Sequence, residues 1–319
     1  MPKFHFYSMK VLVTGGSGFI GRHIVEELLE HGYEVKILTR KRLLNIKGAE
    51  VARGDITQFD TLLPAMDDID AVFHNAAYAA DWGKREEIYN VNVEGTMNVA
   101  RACMENGIDK MIFTSSAGVY GFPNTMEEII EDSPKKPMNA YQQSKLDAEK
   151  ALRNLEGMRI SIVRPPLVLG AGGKASQIIL ERIEKGEMTY IGSGDTLLSV
   201  AHPKDVARCL RLSLEKDMKG STYNVVSFIS PVRDIFEEIA HKLGVKPPEK
   251  HVSYAIAYAV AFFSEMFSRK EPSLTRFRVK SFGTSRRISC EKAKKELGYE
   301  PEFDLKMTVG DMISWYVSQ

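Results

Sequence analysis

Cysteine is scarce in this chain: Cys103, Cys209 and Cys290 are its only three, far apart and odd in number. That scarcity excludes a disulfide framework and points to a reducing compartment. None of the three has metal-ligand spacing, and no cluster of His, Cys or carboxylate suggests a metal elsewhere. Charge of one sign is lacking too, since 43 Lys and Arg nearly balance 42 Asp and Glu. No field for nucleic acid or a strongly acidic surface follows. Long apolar runs are also missing, because no stretch reaches the roughly 18 residues that span a bilayer. The nearest, Tyr254 to Phe267, is too short and contains Ser264 and Glu265. A helix with one apolar face is expected there, and peripheral contact with a membrane is left open. The N-terminal MPKFHFYS has no secretion-signal core, so residues 1–8 read as an extension and a cytoplasmic protein is expected. No internal repeat or low-complexity tract is found.

What is present is alternation. The 319 residues, 44% of them hydrophobic, suffice for a full core. Short β-branched runs fall at Lys10–Thr14, Glu34–Thr39, Glu50–Arg53, Ala71–His74, Lys110–Thr114 and Arg159–Arg164. Helical patterns lie between them near Ile20–His31, Phe59–Ala65, Glu86–Asn106 and Ala140–Leu155. Nearly continuous apolar strands are those covered on both faces, and right-handed crossovers then force a doubly wound parallel sheet. Past Gly170 the pattern changes. Gly170–Gly173 reads as a flexible hinge, followed by a helix to Lys185, a strand near Met188–Ile191 and a helix over Pro203–Leu214. Thr222–Val226 reads as a strand returning to the main sheet, and the chain beyond Lys246 as helical and irregular. The expected fold is α/β: a doubly wound parallel Rossmann sheet with a smaller C-terminal α+β substrate cap. Residues 1–170 and about 201–243 would form the first part, and about 171–200 with 244–319 the second.

Lys10–Gly21 reads KVLVTGGSGFIG, a strand running into a glycine-rich turn and then a helix. At this spacing Gly15 permits the tight turn, Gly18 lets backbone approach a pyrophosphate, and Gly21 packs helix on strand. The phosphates would meet free N–H groups at the helix start. The second strand ends Thr39-Arg40-Lys41, where selection of NAD usually needs an acid for the ribose hydroxyls. Two cations suit a 2′-phosphate, so NADP(H) is expected ahead of NAD(H). Asp55 either meets the adenine edge or caps the next helix.

Tyr141 and Lys145 stand one helical turn apart on one face. A tyrosine titrates near pH ~10, and an adjacent cation lowers that value. A shift of about three units, worth about 4 kcal/mol, would make Tyr141 a general acid or base near neutrality. The segment Thr114-Ser115-Ser116-Ala117-Gly118-Val119-Tyr120-Gly121 follows the fifth strand, at the sheet edge where such folds bind ligands. His74, at a strand end, reads as structural, and Asp205 as the cap of the Pro203 helix.

At this point the chain resembles the extended short-chain dehydrogenase/reductase (NAD-dependent epimerase/dehydratase) family. The matches are TGGSGFIG, the Asp55 turn, Asn75-Ala76-Ala77, Asn92 in NVNVEGT, TSSAGVYG, YQQSK and Arg164-Pro165-Pro166, in the family's order. The resemblance implies a catalytic set of Ser116, Tyr141, Lys145 and Asn92, with Ser115 as the competitor of Ser116. Ser116 would hydrogen-bond the substrate oxygen, Tyr141 pass the proton, Lys145 bind the nicotinamide ribose, and Asn92 hold the active-site helix. Cofactor contacts would fall on Gly15, Ser17, Gly18, Phe19, Ile20, Gly21, Arg40, Asp55, Ile56, Asn75, Ala76, Ala77, Tyr141, Lys145, Pro165 and Val168. Nucleotide-sugar members usually carry an Asn where this chain has Leu167. That departure, the aromatic Tyr78 and Trp82, and the C-terminal segments resemble the 3β-hydroxysteroid and sterol dehydrogenase branch and its relatives acting on long-chain β-keto or hydroxy acids. Tyr78, Trp82, Ser116 and Leu167 are thus the expected substrate contacts. An NAD(P)-dependent oxidoreductase of a bulky apolar alcohol or ketone is expected, with a nucleotide-sugar epimerase or dehydratase as the alternative. A homodimer through the Glu86–Asn106 and Ala140–Leu155 helices would be usual for the family.

Overall fold

The computed structural model describes residues 8–40, 46–123, 127–217, 219–268 and 270–319. Of the extension expected over residues 1–8 only Ser8 lies among them, and Lys41 lies outside. Six strands occur in chain order up to the cap: β1 (Lys10–Thr14), β2 (Glu34–Thr39), β3 (Ala49–Arg53), β4 (Ala71–His74), β5 (Lys110–Thr114) and β6 (Arg159–Arg164). The helices among them are α1 (Phe19–Glu30), α2 (Arg85–Tyr89), α3 (Gly95–Glu105) and α4 (Ala140–Arg153). The helix expected over Phe59–Ala65 is instead two short 3-10 turns, Phe59–Thr61 and Pro64–Met66. One turn of π-helix, Asn90–Glu94, joins α2 to α3 within the Glu86–Asn106 stretch.

The cap and the return to the sheet follow. They comprise β7 (Leu167–Val168), α5 (Lys174–Glu184), β8 (Thr189–Ile191), β9 (Leu197–Ala201), α6 (Pro203–Lys216), β10 (Thr222–Asn224) and β11 (Phe228–Pro231). After them come α7 (Val232–Leu243), β12 (Lys250–Val252), α8 (Tyr254–Phe267), α9 (Arg276–Gly283), α10 (Glu291–Leu297) and α11 (Leu305–Tyr316).

Seven strands form the main sheet in the order β10-β6-β5-β4-β1-β2-β3, all parallel. Successive side chains of a strand face opposite sides, and β1 shows the consequence. Val11 and Val13 join a core with Ile24 and Leu28 of α1 and Leu210 of α6. Leu12 joins the other, with Val99 of α3 and Leu152 of α4. Apolar burial on both faces, worth roughly 25 cal/mol per Å², explains the nearly continuous apolar interiors of the strands. The strand order reverses between β1 and β4, and there Thr14 pairs with His74. Ligands bind at such a switch point, beyond the strands' carboxyl ends.

The cap holds a three-stranded sheet, β11-β9-β7, and a parallel β12-β8 pair. Its core joins Ile179 and Ile183 of α5, Leu198 and Val200 of β9, Ile235 and Ile239 of α7, and Met312 of α11. The helix α7, within the 201–243 stretch grouped with the main sheet, therefore packs in the cap. Conversely Ala293 and Leu297 of α10, with Tyr299, pack in the core of the main sheet, where the Tyr299 hydroxyl donates to Val226 O at 3.0 Å.

Two local expectations change. Gly170–Gly173 is tied down: Gly170 N donates to Ser176 Oγ at 3.0 Å, Ala171 N to Asp311 Oδ2 at 2.7 Å, and the Arg22 guanidinium to Ala171 O. The α6 cap is the His202 side chain, which accepts from Lys204 N. Asp205 instead accepts from Ser227 Oγ, Glu302 N and Phe303 N at 2.6, 3.0 and 3.2 Å, holding three chain segments together.

Candidate active site

The loop between β1 and α1 is shaped by close approach. Gly15 has φ +70°, and a Cβ there would lie 2.8 Å from the Ala76 backbone. At Gly21 a Cβ would meet Gly15 O at 2.0 Å. Gly18 precedes α1 in extended conformation, and no side chain caps the first turn. The first N–H groups of a helix have no intrahelical partner, and Phe19 and Ile20, which carry two of them, line a cavity of about 500 Å³.

Its wall also contains Gly15, Ser17, Gly18, Arg40, Asp55, Ile56, Asn75, Ala76, Ala77, Tyr78, Ser116, Tyr141, Lys145, Pro165 and Val168. Motifs from six strand ends thus converge on one cleft. Gly21 supports the loop from behind, and Trp82, Leu167 and Asn92 do not line the cavity. Leu167 pairs with Val200 in the cap sheet and packs on the cap core.

Ser116 leaves β5 in extended conformation, and its Oγ accepts from Gly118 N at 3.0 Å. The Ser116 and Tyr141 side chains both line the cavity, and the Ser116 hydroxyl acts on the Tyr141 phenol to lower its pKa. Ser115 turns away and donates to Glu149 Oε1 at 2.5 Å, so of the two serines Ser116 faces the tyrosine. Asn139 Oδ1 caps α4 by accepting from Gln142 N at 2.9 Å. Tyr141 and Lys145 therefore sit in its first turns.

Lys145 is buried, with Nζ 4.2 Å from the centre of the Phe113 ring. Burial pulls its pKa down to about 7, against the attraction of Glu149. Tyr141 behaves contrary to the expected lowering: burial pushes its phenol up to about 12, and the Ser116 hydroxyl only partly offsets this. The lysine charge is directed at Phe113 and Glu149, so burial wins. His74 is pulled down to about 3, by burial first and then by Lys145. Thr14 Oγ1 lies 2.7 Å from its Nδ1 and Thr96 Oγ1 2.9 Å from its Nε2. Thr96 already donates to Asn92 O at 2.7 Å, so it accepts from Nε2–H. A neutral, structural histidine results.

Asn92 sits on the π-helical turn, 1% exposed. Its Oδ1 accepts from Tyr78 N at 2.7 Å, and its Nδ2 donates to Tyr78 O at 3.2 Å and Ser144 Oγ at 2.9 Å. It joins the loop after β4 to the helix of Tyr141. Asp55 Oδ1 accepts from Thr57 N and Oγ1, both at 2.9 Å, in a local turn. It caps no helix, and its Oδ2 is 3.9 Å from Arg40 Nη1.

Sequence reasoning missed Glu149. It lies one turn beyond Lys145, 1% exposed, and takes Arg164 bidentately, Nε to Oε1 at 2.9 Å and Nη2 to Oε2 at 2.5 Å. Arg164 continues to Tyr120 Oη at 2.7 Å. The available signal was the spacing Tyr141-x3-Lys145-x3-Glu149 on one helical face. Thr114 Oγ1 was missed as well: it lines the cavity, buried and without a partner among the described residues, as a ligand-facing hydroxyl would be.

A glycine cradle at the switch point, an uncapped helix start and an orphaned hydroxyl in one cleft fit a bound dinucleotide. With Ser116, Tyr141 and Lys145 in its wall, the fold defines a nicotinamide-dinucleotide enzyme. Residues 11–226 match the NAD dependent epimerase/dehydratase family, and the chain belongs to that family. It is an NAD(P)-dependent oxidoreductase of the extended short-chain dehydrogenase/reductase type. Sterol-4-alpha-carboxylate 3-dehydrogenase, decarboxylating, of Mus musculus is 30% identical over 92% of this chain and 86% of its own length. The 2-alkyl-3-oxoalkanoate reductase of Stenotrophomonas maltophilia is 29% identical over 93% and 96%. The crystal structure of gox2253 superposes with a TM-score of 0.83 at 31% identity, covering 97% of this chain and 98% of that one.

Proposed function

We propose that the protein interconverts an alcohol and a ketone on a bulky apolar substrate, sterol-like or a long-chain β-hydroxy or β-keto compound. The observation that carries this is that Ser116 and Tyr141, with Lys145 one turn on, stand together in the wall of the glycine-cradled cleft. The nicotinamide, when bound, supplies the acceptor or donor of the hydride on the carbinol carbon. Tyr141 Oη takes or returns the hydroxyl proton, and Ser116 Oγ hydrogen-bonds the substrate oxygen. Tyr141 is the neutral phenol in this structure, the form that donates to a ketone. Lys145 and Tyr141 would hold the nicotinamide ribose, Pro165 and Val168 its ring, and the Gly15–Gly21 loop the phosphates.

The substrate class draws on the two relatives. Both of their names describe a carboxylate with oxygen on the carbon next but one to the acid carbon. NADP(H) is the preferred cofactor in this reading, because Arg40 lines the cavity where β2 ends in Thr39 rather than an acid.

The test is a turnover screen of sterols, long-chain 3-hydroxy acids and UDP-sugars with NADP+ and with NAD+, followed by cofactor absorbance. Net reduction of NADP+ with the apolar set is expected. Interconversion of a UDP-sugar with no net change in cofactor would replace this reading with an epimerase.

A further inference from the structure

Arg286 crosses from the cap to the loop that carries Ser116. Its backbone is held by β9 on both sides: its N–H donates to Leu197 O at 3.0 Å, and its carbonyl accepts from Ser199 Oγ at 2.9 Å. The guanidinium carbon stands 4.4 Å from the centre of the Phe122 ring, and Nη1 reaches the Gly121 carbonyl at 3.4 Å. Phe122 and Gly121 directly continue the Ser116–Tyr120 segment, and Phe277 of α9 packs edge-on against Phe122 at 5.6 Å. The cation thus lies where the cap meets the serine loop.

Its charge is not compensated there. Nε is buried and has no hydrogen-bond partner among the described residues. Burial alone acts on the group and pulls it down to about 10; no carboxylate offsets that pull. Other arginines set into the protein are treated differently. Arg164 lies on Glu149, Arg211 on Glu27 and Glu215, and Arg278 on Asp81. A partly buried cation with no carboxylate beside it is costly, and a guanidinium presents a planar fork that matches a carboxylate. In a β-hydroxy or β-keto acid the carboxyl carbon is two bonds from the reacting carbon. A group that receives the acid must therefore adjoin the loop that binds the reacting oxygen, and Arg286 touches that loop.

We propose that Arg286 is the carboxylate-binding residue of the substrate site, receiving the acid group of a β-hydroxy or β-keto acid whose reacting oxygen lies at Ser116 and Tyr141. The assignment rests on the alcohol–ketone reading above. It makes the free acid the substrate, in preference to its ester.

The experiment compares a long-chain 3-hydroxy acid with its methyl ester as substrates for the wild type, Arg286→Gln and Arg286→Lys, with the melting temperature of each recorded. The wild type is expected to favour the acid by about 10- to 100-fold in kcat/KM, the usual reach of a charge-assisted hydrogen bond. In Arg286→Gln the acid-to-ester ratio collapses toward one, mainly through KM, and Arg286→Lys keeps part of it. Should Arg286→Gln fail to fold, the wild-type ratio and the lysine variant carry the same test. Equal use of acid and ester by the wild type overturns the Arg286 assignment and leaves the alcohol–ketone reading standing. So does a preference that survives in Arg286→Gln. Turnover of neither compound, with a UDP-sugar accepted, removes the underlying reading itself.

Discussion

The helices α4 and α8 are both 14 residues long, and they break the inside–outside rule in opposite directions. The first buries polar groups: Gln142, Ser144, Lys145 and Glu149 are each 2% exposed or less. The second exposes apolar ones, with Ile256, Val260, Phe263 and Phe267 at 60, 53, 54 and 75% on successive turns of one stripe. Burying charge is expensive unless every group is paired. In α4 the cost is offset by Glu149, which holds Ser115 and Arg164 while attracting Lys145. That arrangement leaves Tyr141 and Lys145 in fixed positions before any ligand arrives. Among the described residues the α8 stripe meets only its own helix, Phe263 packing edge-on against Phe262; the helix is fixed by its Ser253 cap and by α9, where Glu265 holds Arg276 at 2.6 Å. Contiguous exposed apolar surface marks interaction sites in folded proteins. Departures from local rules of this kind concentrate where a protein does its work.

The comparison can be broken most forcefully at Tyr141. Tyr141→Phe keeps the ring and removes the hydroxyl, so turnover should fall by about 10²- to 10⁴-fold, the usual weight of a general acid–base. Cofactor affinity, read by fluorescence titration, should fall far less, by about 10-fold at most, as for one lost hydrogen bond to the ribose. Wild-type turnover would strip Tyr141 of its role. Next comes Glu149→Ala, which leaves the Arg164 guanidinium buried and unpaired. A loss of about 3–5 kcal/mol in denaturant unfolding is expected, and a loss below about 1 kcal/mol would show that Arg164 finds another partner. Smallest is the paired change Phe263→Ser and Phe267→Ser in α8. Stability should stay within about 0.5 kcal/mol of the parent, as for other exposed positions. A much larger loss in the same unfolding assay would mean that the stripe is packed.

The parallel sheet was legible because each strand carries its own signal. The runs at β1, β2, β4, β5 and β6 are rich in apolar, mostly β-branched residues, and their bounds agree with the structure. The cap was less so. The strands β7, β9 and β11 span two to five residues, and their pairing depends on partners distant in the chain. The helix α7 went unread, although its Val232, Ile235, Phe236 and Ile239 recur at helical spacing. At the site, motif residues converge on one cleft because the glycine loop and the Tyr141–Lys145 pair are local patterns. Spacing puts Glu149 on the face of Tyr141 and Lys145, but its contact with Arg164, and that of Arg286 with Phe122, join segments distant in the chain. The tyrosine's direction of shift was misjudged for a related reason: sequence shows that a lysine is near, but not where its ammonium is aimed.

The burial of Tyr299 in the core of the main sheet bears on how the chain is made. Synthesis runs from the N-terminus, and domains generally fold as units while emerging from the ribosome. Here the core that begins with Val11 is completed by Ala293, Leu297 and Tyr299. Nearly the whole chain must therefore be translated before the dinucleotide-binding half can close its hydrophobic interior. Most of the cap emerges inside that interval, but Met312 of α11, a member of its core, follows Tyr299, so the cap closes its own interior after the main sheet does. A ribosome stalled within the α9 segment would hold a nascent chain with every strand of the main sheet but an unfinished core.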